Sequence, residues 1–194
     1  MVKNKFHRIL EVIAYFFFLN MLWILFSLPI ITVFASTAAM FGVIRKSQED
    51  GINLSVLSDF PRLFKENFKQ STIIGFIWSI VGFSLYFYLF FFSGMEFEII
   101  KGLLLLMAIL FILHTVYLLP VIVHYKLTVW KVFSFSIIYS IRFFGSTFIA
   151  LCIIGAGFIV FYKFPMTLLF IISICAYHVY HTCAKSFNKV ANVS

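Results

Sequence analysis

The strongest constraint on this chain is an uncharged segment near its start, from Val12 to Ile44, in which 33 consecutive residues include no Asp, Glu, Lys or Arg. A single membrane crossing needs about 20 apolar residues and a helical hairpin about 40 plus a turn, so the segment is long for one crossing and short for two. Pro29 stands near its middle, and a proline removes a backbone donor and clashes with the preceding helical turn. The segment therefore predicts a first helix from Phe6 to Leu28 and a second, shorter helix from about Thr32 to Arg45.

Composition places the chain in a membrane. Hydrophobic residues make up 63% of it and charged residues 11%, which is far from the balance of a water-soluble domain. The formal net charge of +8 could suggest a nucleic-acid partner, but the basic residues lie between apolar runs, as membrane orientation signals do. The three cysteines lie in or beside apolar segments and indicate no disulfide framework. We expect contact with the lipid bilayer and none with nucleic acid.

Four further apolar segments predict four more membrane helices, over Ser71–Ser93, Gly102–Val123, Phe143–Tyr162 and Phe164–Ala184. Two of the linkers, Phe60–Gln70 and Lys126–Arg142, combine apolar residues at helical spacing with basic ones, a pattern typical of helices in the membrane interface. The predicted fold is all-α. It is one polytopic helical membrane bundle over residues 1–194, with six membrane segments, the second one short, and two cytoplasmic interfacial helices.

Orientation follows from the distribution of the 15 Lys and Arg residues. If Pro29 only kinks a single helix, five spans place 10 of these residues on one side and 5 on the other. If the chain turns back there, six spans place 13 on one side and leave only Lys101 and Lys163 on the other. The second arrangement obeys the positive-inside rule better. We therefore expect a multi-pass protein of the cell membrane with both termini in the cytoplasm, while the length of the segment 32–45 leaves open whether it crosses fully.

A small set of polar or helix-breaking residues within the apolar segments forms the first group of candidate positions. They are Asn20, Trp23, Ser27, Pro29, Thr32, Thr37 and His114. Asn20 and Ser27 share one face of the first helix, and an amide in hydrocarbon seeks a hydrogen-bond partner. Asn20 could therefore contact a substrate or form an interhelical hydrogen bond. His114 is an ionisable residue within a span, which makes it a functional hypothesis by default, but the apolar segments offer no carboxylate with which to share a proton.

The sequence contains no positive evidence for an enzyme. Motifs for nucleophilic, zinc or phosphate chemistry are missing from the sequence. His178, His181 and Cys183 are metal-ligating residue types, but a fourth ligand is missing. We expect a non-catalytic protein with no metal or cofactor.

The two polar linkers form the second group, as candidate docking surfaces for a protein partner. The residues that carry this prediction are Phe60, Phe64, Lys65, Phe68, Lys69 and Trp130. In the first linker the aromatic rings recur at helical spacing and the lysines occupy the other side. Lipid anchoring alone would explain the same pattern, because basic residues are attracted to anionic headgroups and aromatic residues favour that depth.

A resemblance to a known family rests on three segments, LNMLWILFSLPIITVFASTAAMFGVIRK, FPRLFKENFKQST and SIIYSIRFFGSTF. They resemble the YesL family of bacterial integral membrane proteins, whose function is unknown. The most specific positions are Leu19-Asn20, Trp23, Leu28-Pro29, Thr32, Thr37-Ala38-Ala39 and Lys65-Glu66-Asn67-Phe68. The chain departs from the family at Phe34-Ala35, where such proteins are expected to have Gly-Pro.

The resemblance implies genes that often lie beside carbohydrate uptake systems, including ATP-binding-cassette (ABC) sugar permeases, and it implies no catalytic residue. The expected function is therefore that of a non-catalytic accessory or partner protein linked to carbohydrate uptake. The alternative is a small solute transporter or channel in its own right, which should have a polar pathway through the bundle.

Overall fold

The structure is a computed structural model that describes residues 5–92 and 98–191. Within these ranges the chain forms helices and no strand. The α-helices are α1 (Lys5–Ser27), α2 (Val33–Asp50), α3 (Val56–Phe92), α4 (Glu98–His124), α5 (Val129–Arg142), α6 (Phe144–Lys163) and α7 (Ile171–Ala191), with 3-10 turns at Ile30–Thr32 and Pro165–Leu169. The predicted all-α fold is confirmed. Lys3, one of the basic residues counted for orientation, and the predicted helix end at Ser93 lie outside the described residues.

Five segments of the described chain are long and apolar enough to cross a bilayer: α1, Ile30–Asp50 with α2, α3, α4 and α6. The helix α3 has 37 residues and is therefore about 55 Å long at 1.5 Å per residue. The hydrocarbon core of a bilayer is only about 30 Å thick. Several turns of α3 must therefore extend beyond the hydrocarbon.

The predicted break at Pro29 is present. Helix α1 ends at Ser27, Pro29 has extended backbone angles (φ −75°, ψ 116°), and α2 begins at Val33. Thr32 precedes α2 but does not cap it with its side chain; its Oγ1 donates to the carbonyl oxygens of Phe26 and Pro29, both at 2.6 Å. The second helix is longer than predicted, because it continues five residues past Arg45 to Asp50.

Helix α2 lies at the centre of the bundle, where it contacts α1, α3, α4 and α7. Its small residues Ala35, Ala38 and Ala39 are fully buried. Short side chains allow neighbouring helices to approach closely, which is the usual basis of helix packing in membranes. Gly42 illustrates this, since a Cβ atom there would lie 3.2 Å from Cδ1 of Leu63 on α3.

An ionic cluster fixes the corner between α2 and α3. The Asp59 side chain is only 8% exposed and accepts bonds from Lys46 Nζ at 2.7 Å and Arg62 Nη2 at 2.8 Å. Ser55 Oγ donates to the same carboxylate at 2.7 Å. A largely buried carboxylate is stable when it is paired and hydrogen-bonded in this way. The cluster therefore joins the end of α2 to the start of α3.

The first predicted interfacial helix, Phe60–Gln70, is wrong as a separate element, because it forms the early turns of the continuous helix α3. Its apolar positions stay in phase with those of the following span, and the stretch after Pro61 contains no helix breaker before Gly75. The second, Lys126–Arg142, does form a separate helix, α5, which begins after the extended residue Thr128 and ends at Phe143. The position of α5 in the membrane interface stays a prediction.

The last predicted span, Phe164–Ala184, is also wrong as one helix. Pro165 follows Phe164, whose backbone is not helical (φ −133°, ψ 82°), and begins a 3-10 turn that ends at Leu169. Helix α7 starts only at Ile171. Because the apolar residues of the turn are outside the α-helix, α7 is left with a more polar sequence that includes Lys185 and Lys189. It is not among the five spans of the described chain.

The close approach of α2 and α3 generates a stability prediction. A Cβ atom at Gly75 would lie 2.4 Å from Cγ of Phe34, so Gly75→Ala should lower the free energy of unfolding by about 1–3 kcal/mol through overpacking. The matched control is Gly155→Ala on α6, where a Cβ atom would meet nothing within 4 Å. Thermal unfolding in detergent measures both variants. Equal melting temperatures for the two variants would contradict the packing seen here.

Candidate functional site

A partly open cavity of about 970 Å³ lies at one end of the bundle. Its walls come from the start of α1, the end of α2, the end of α4 and the second half of α7. The first and last helices therefore bring both ends of the described chain to the same side of the bundle. The volume is within the range of about 300–1,000 Å³ that small-molecule sites occupy.

Arg45 ties two of these walls together. Its Nη1 donates to the carbonyl oxygens of Val123 at 2.6 Å and His124 at 3.2 Å, and its Nε donates to Glu49 Oε1 at 3.0 Å. The last carbonyls of a helix have no partner within the helix itself. Arg45 therefore supplies the missing donors at the end of α4 while it holds α4 against α2.

The inner end of the cavity is closed by a polar layer and then an apolar one. Tyr15 donates to Ser47 Oγ at 2.9 Å, and Ser47 donates to the Ile44 carbonyl at 2.8 Å. Beyond Ser47 the core contains Leu19 and Met40, both fully buried. The cavity therefore ends inside the bundle rather than continuing through it.

The candidate residues of the first helix are placed away from this cavity. Asn20 is fully buried, and its Nδ2 donates to the carbonyl oxygen of Leu168 in the second 3-10 turn. Trp23 Nε1 donates to Thr37 Oγ1 at 3.0 Å, which joins α1 to α2. Ser27, which shares a helix face with Asn20, is not its partner, and Ser27 Oγ is buried with no hydrogen-bond partner in the described chain. The Leu168 carbonyl is thus the hydrogen-bond partner that an interhelical role of Asn20 requires.

His114 lies in a separate part of the core. It is 7% exposed, its ring stacks on Phe133 with centroids 5.6 Å apart, and its Nδ1 has no hydrogen-bond partner among the described residues. The neighbouring Thr115 accepts a bond from Trp78 Nε1 at 2.9 Å. His114 does not line the cavity, so it lies apart from the charged groups there.

The candidate docking residues divide into two groups. Phe60 is fully buried and Phe64 is half-buried against Phe26, with ring centroids 4.9 Å apart. The prediction that Phe60 faces a partner is therefore wrong, because its ring packs in the core, whereas the docking role of Phe64 stays a prediction. Four positions are exposed, and we call them the docking patch: Lys65, Phe68, Lys69 and Trp130. Gln70 Nε2 donates to the Leu127 carbonyl at 2.7 Å, so α3 meets the start of α5 near these residues.

Sequence reasoning missed most of the cavity residues. The charge distribution assigns Arg8 and Lys185 only to membrane orientation. The residue pattern assigns His181 only to an incomplete metal site. The described residues contain no group of three metal-ligating side chains; His178 and His181 are exposed, whereas Cys183 is fully buried. Charged residues near the ends of several helices are the signal that could have indicated a shared cavity.

The contact of Asn20 with Leu168 generates a second prediction. Asn20→Leu should lower the free energy of unfolding by about 0.6–2 kcal/mol, the range for hydrogen bonds between membrane helices, because the Leu168 carbonyl loses its donor. The control is Ser27→Ala, which removes a hydroxyl with no partner in the described chain and should leave stability unchanged or slightly higher. Denaturant unfolding in detergent gives both values. A fully stable Asn20→Leu protein would exclude a structural role for this amide.

Comparisons with known proteins give one family model and two bacterial relatives. The family model described as "Protein of unknown function, DUF624" matches residues 16–89. The uncharacterized protein YteU of Bacillus subtilis (strain 168) is 28% identical over an alignment of 166 residues that covers 81% of this chain and 73% of YteU. The uncharacterized protein YesL of the same organism is 31% identical over an alignment of 122 residues that covers 61% of this chain and 58% of YesL. No solved structure gives a significant match.

The DUF624 match covers α2, most of α3 and the second half of α1, and so it includes the break at Pro29 and the ionic corner. The two relatives extend the similarity to 81% and 61% of the chain. The chain is therefore similar to the DUF624 family over residues 16–89 and to the uncharacterized proteins YteU and YesL, and these matches support a YesL-like family of unknown function.

Proposed function

We propose that this protein is a non-catalytic accessory protein of a transporter in the bacterial cell membrane, and specifically of an ABC sugar permease. One observation carries the choice of an accessory role over transport: two of the polar groups that a pathway would need are bonded within the bundle. Trp23 donates to Thr37, and Asn20 donates to the Leu168 carbonyl. The choice of a sugar permease rests on the family resemblance alone.

A second candidate function is transport by the chain itself, and the cavity is the observation that favours it. A cavity open to one side of a bundle is what a transporter presents in an inward-facing state. Against this, Leu19 and Met40 fill the core beyond the Tyr15–Ser47 layer. Transport would require these buried side chains to separate.

The proposed orientation places the cavity and both termini in the cytoplasm, with α7 as the returning sixth segment. Lys101 lies near the start of α4 and Lys163 at the end of α6. The end of α4 lines the cavity, so Lys101 is at the opposite end of that helix. This arrangement retains the excess of basic residues on the cytoplasmic side.

The orientation is tested by labelling in intact cells. In a background with Cys152, Cys175 and Cys183 replaced by alanine, Lys101→Cys and Lys163→Cys should react with an impermeant maleimide. The control Lys69→Cys should react only after the membrane is opened, because it lies on the cytoplasmic side in this orientation. Labelling of Lys69→Cys in intact cells, or protection of both outer positions, would refute the proposal.

The accessory role is tested by charge reversal on the docking patch. Lys65 and Lys69 are exposed and have no ion-pair partner in the described chain, so their reversal should leave the fold intact. The double variant Lys65→Glu/Lys69→Glu should abolish copurification of an ABC permease subunit from native membranes. Lys163→Glu, an exposed lysine at the other end of the bundle, is the control and should keep the partner.

The melting temperature of the double variant separates lost docking from lost folding. If the folded double variant retains the permease subunit, the docking patch is not the binding surface. If native membranes yield no transporter subunit with the unmodified protein, the accessory role is wrong and transport by the chain itself becomes the better hypothesis.

A further inference from the structure

Positive groups from three helices converge on the cavity. Arg8 comes from α1, Arg45 from α2 and Lys185 from α7, and the rings of His124 and His181 also form part of the wall. We propose that this cavity binds a phosphate group, carried either by a phosphorylated small molecule or by the headgroup of an anionic lipid. The proposal does not depend on the accessory role.

The balance of charge in the cavity favours an anion. Two carboxylates, Glu11 and Glu49, also line it, but Glu49 is paired with Arg45 at 3.0 Å and Glu11 also has an interaction partner. Arg8 and Lys185 are exposed and have no carboxylate partner within the described residues. Cations without partners in a concave, partly enclosed site raise the local concentration of anions.

The hydrogen-bonding groups fit a phosphate in particular. Phosphate oxygens accept several bonds at once, and guanidinium and ammonium groups are their usual donors. Gln48 adds a neutral donor, because it lines the cavity and its amide nitrogen is buried without a hydrogen-bond partner in the described chain. No internal bond from that nitrogen opposes rotation of the amide toward a ligand.

The position of the cavity makes it accessible to two sources of phosphate, and the experiment must distinguish them. It opens at the end of the bundle where α2 and α4 end, which is the level at which a membrane helix meets both water and lipid headgroups. A soluble phosphate would enter from water and a lipid headgroup from the side. Both would meet the same cationic groups.

The test uses the full chain, purified in neutral detergent, with melting temperature as the readout of binding. The probes are inorganic pyrophosphate, dioctanoyl phosphatidylglycerol and, as the lipid without net charge, dioctanoyl phosphatidylcholine. We expect pyrophosphate or phosphatidylglycerol to raise the melting temperature in a saturable way, and phosphatidylcholine to have a much smaller effect. A response to pyrophosphate identifies a soluble phosphate site, and a response to phosphatidylglycerol alone identifies a headgroup site.

Two double variants decide whether the response comes from the cavity. Arg8→Gln/Lys185→Gln should weaken the apparent affinity at least tenfold, whereas Lys65→Gln/Lys69→Gln, which removes two exposed lysines from the docking patch, should change it less than twofold. If the cavity variant is poorly folded without ligand, the single variant Gln48→Ala replaces it in the test. Gln48→Ala should weaken the apparent affinity for the phosphate probe at least threefold. The proposal is overturned if neither phosphate probe binds, or if the docking-patch variant loses binding as much as the cavity variant does.

Discussion

Hydrocarbon offers no hydrogen-bond partner to an exposed backbone group, and the rest of this bundle depends on how the chain meets that constraint where its helices break. At the first break, Thr32 Oγ1 donates to the Phe26 carbonyl at 2.6 Å, so the end of α1 does not leave that oxygen unpaired. At the second break, Asn20 donates to the Leu168 carbonyl from a helix 148 residues away. The carbonyl at the first break receives its hydrogen bond from a nearby residue of the chain. The carbonyl at the second break receives its hydrogen bond from the first helix of the bundle.

The same constraint explains the position of α2. A helix that follows directly from a proline break cannot move far from its predecessor, and its small buried residues let α1, α3, α4 and α7 pack around it. At its other end, Lys46 reaches Asp59 and Arg45 reaches the last carbonyls of α4. Two adjacent basic residues thus connect the central helix to two different neighbours, one through a carboxylate and one through backbone oxygens.

The interior of the bundle and the end that carries Arg45 therefore differ in chemistry. The interior is closed by apolar side chains such as Met40 and by aromatic contacts such as Trp78 on Phe111, whose ring centroids are 5.0 Å apart. The end that carries Arg45 is open and lined by ionisable groups. A closed interior suits the proposed accessory role, and the open end is the site proposed for a phosphate group.

The amino-acid sequence determined the membrane class, the helical fold, the break at Pro29 and the existence of a separate helix near Trp130. These features depend on local properties, namely hydropathy, periodicity and the missing donor of proline, which are readable within one window of residues. Local reasoning failed at Gln70, where a polar stretch suggested a boundary although the helical phase continued, and at Pro165, whose effect on the last helix was not recognised.

Only the tertiary structure decided which polar groups meet. The pairing of Arg45 with Val123 joins residues 78 apart, and the cavity joins Arg8 to Lys185. No local pattern contains such a pairing, since the same residues at helix ends also serve orientation in the membrane. The burial of Phe60 and the exposure of Trp130 were likewise set by packing, because a ring at helical spacing faces either lipid, a partner or the core according to where its neighbouring helices lie.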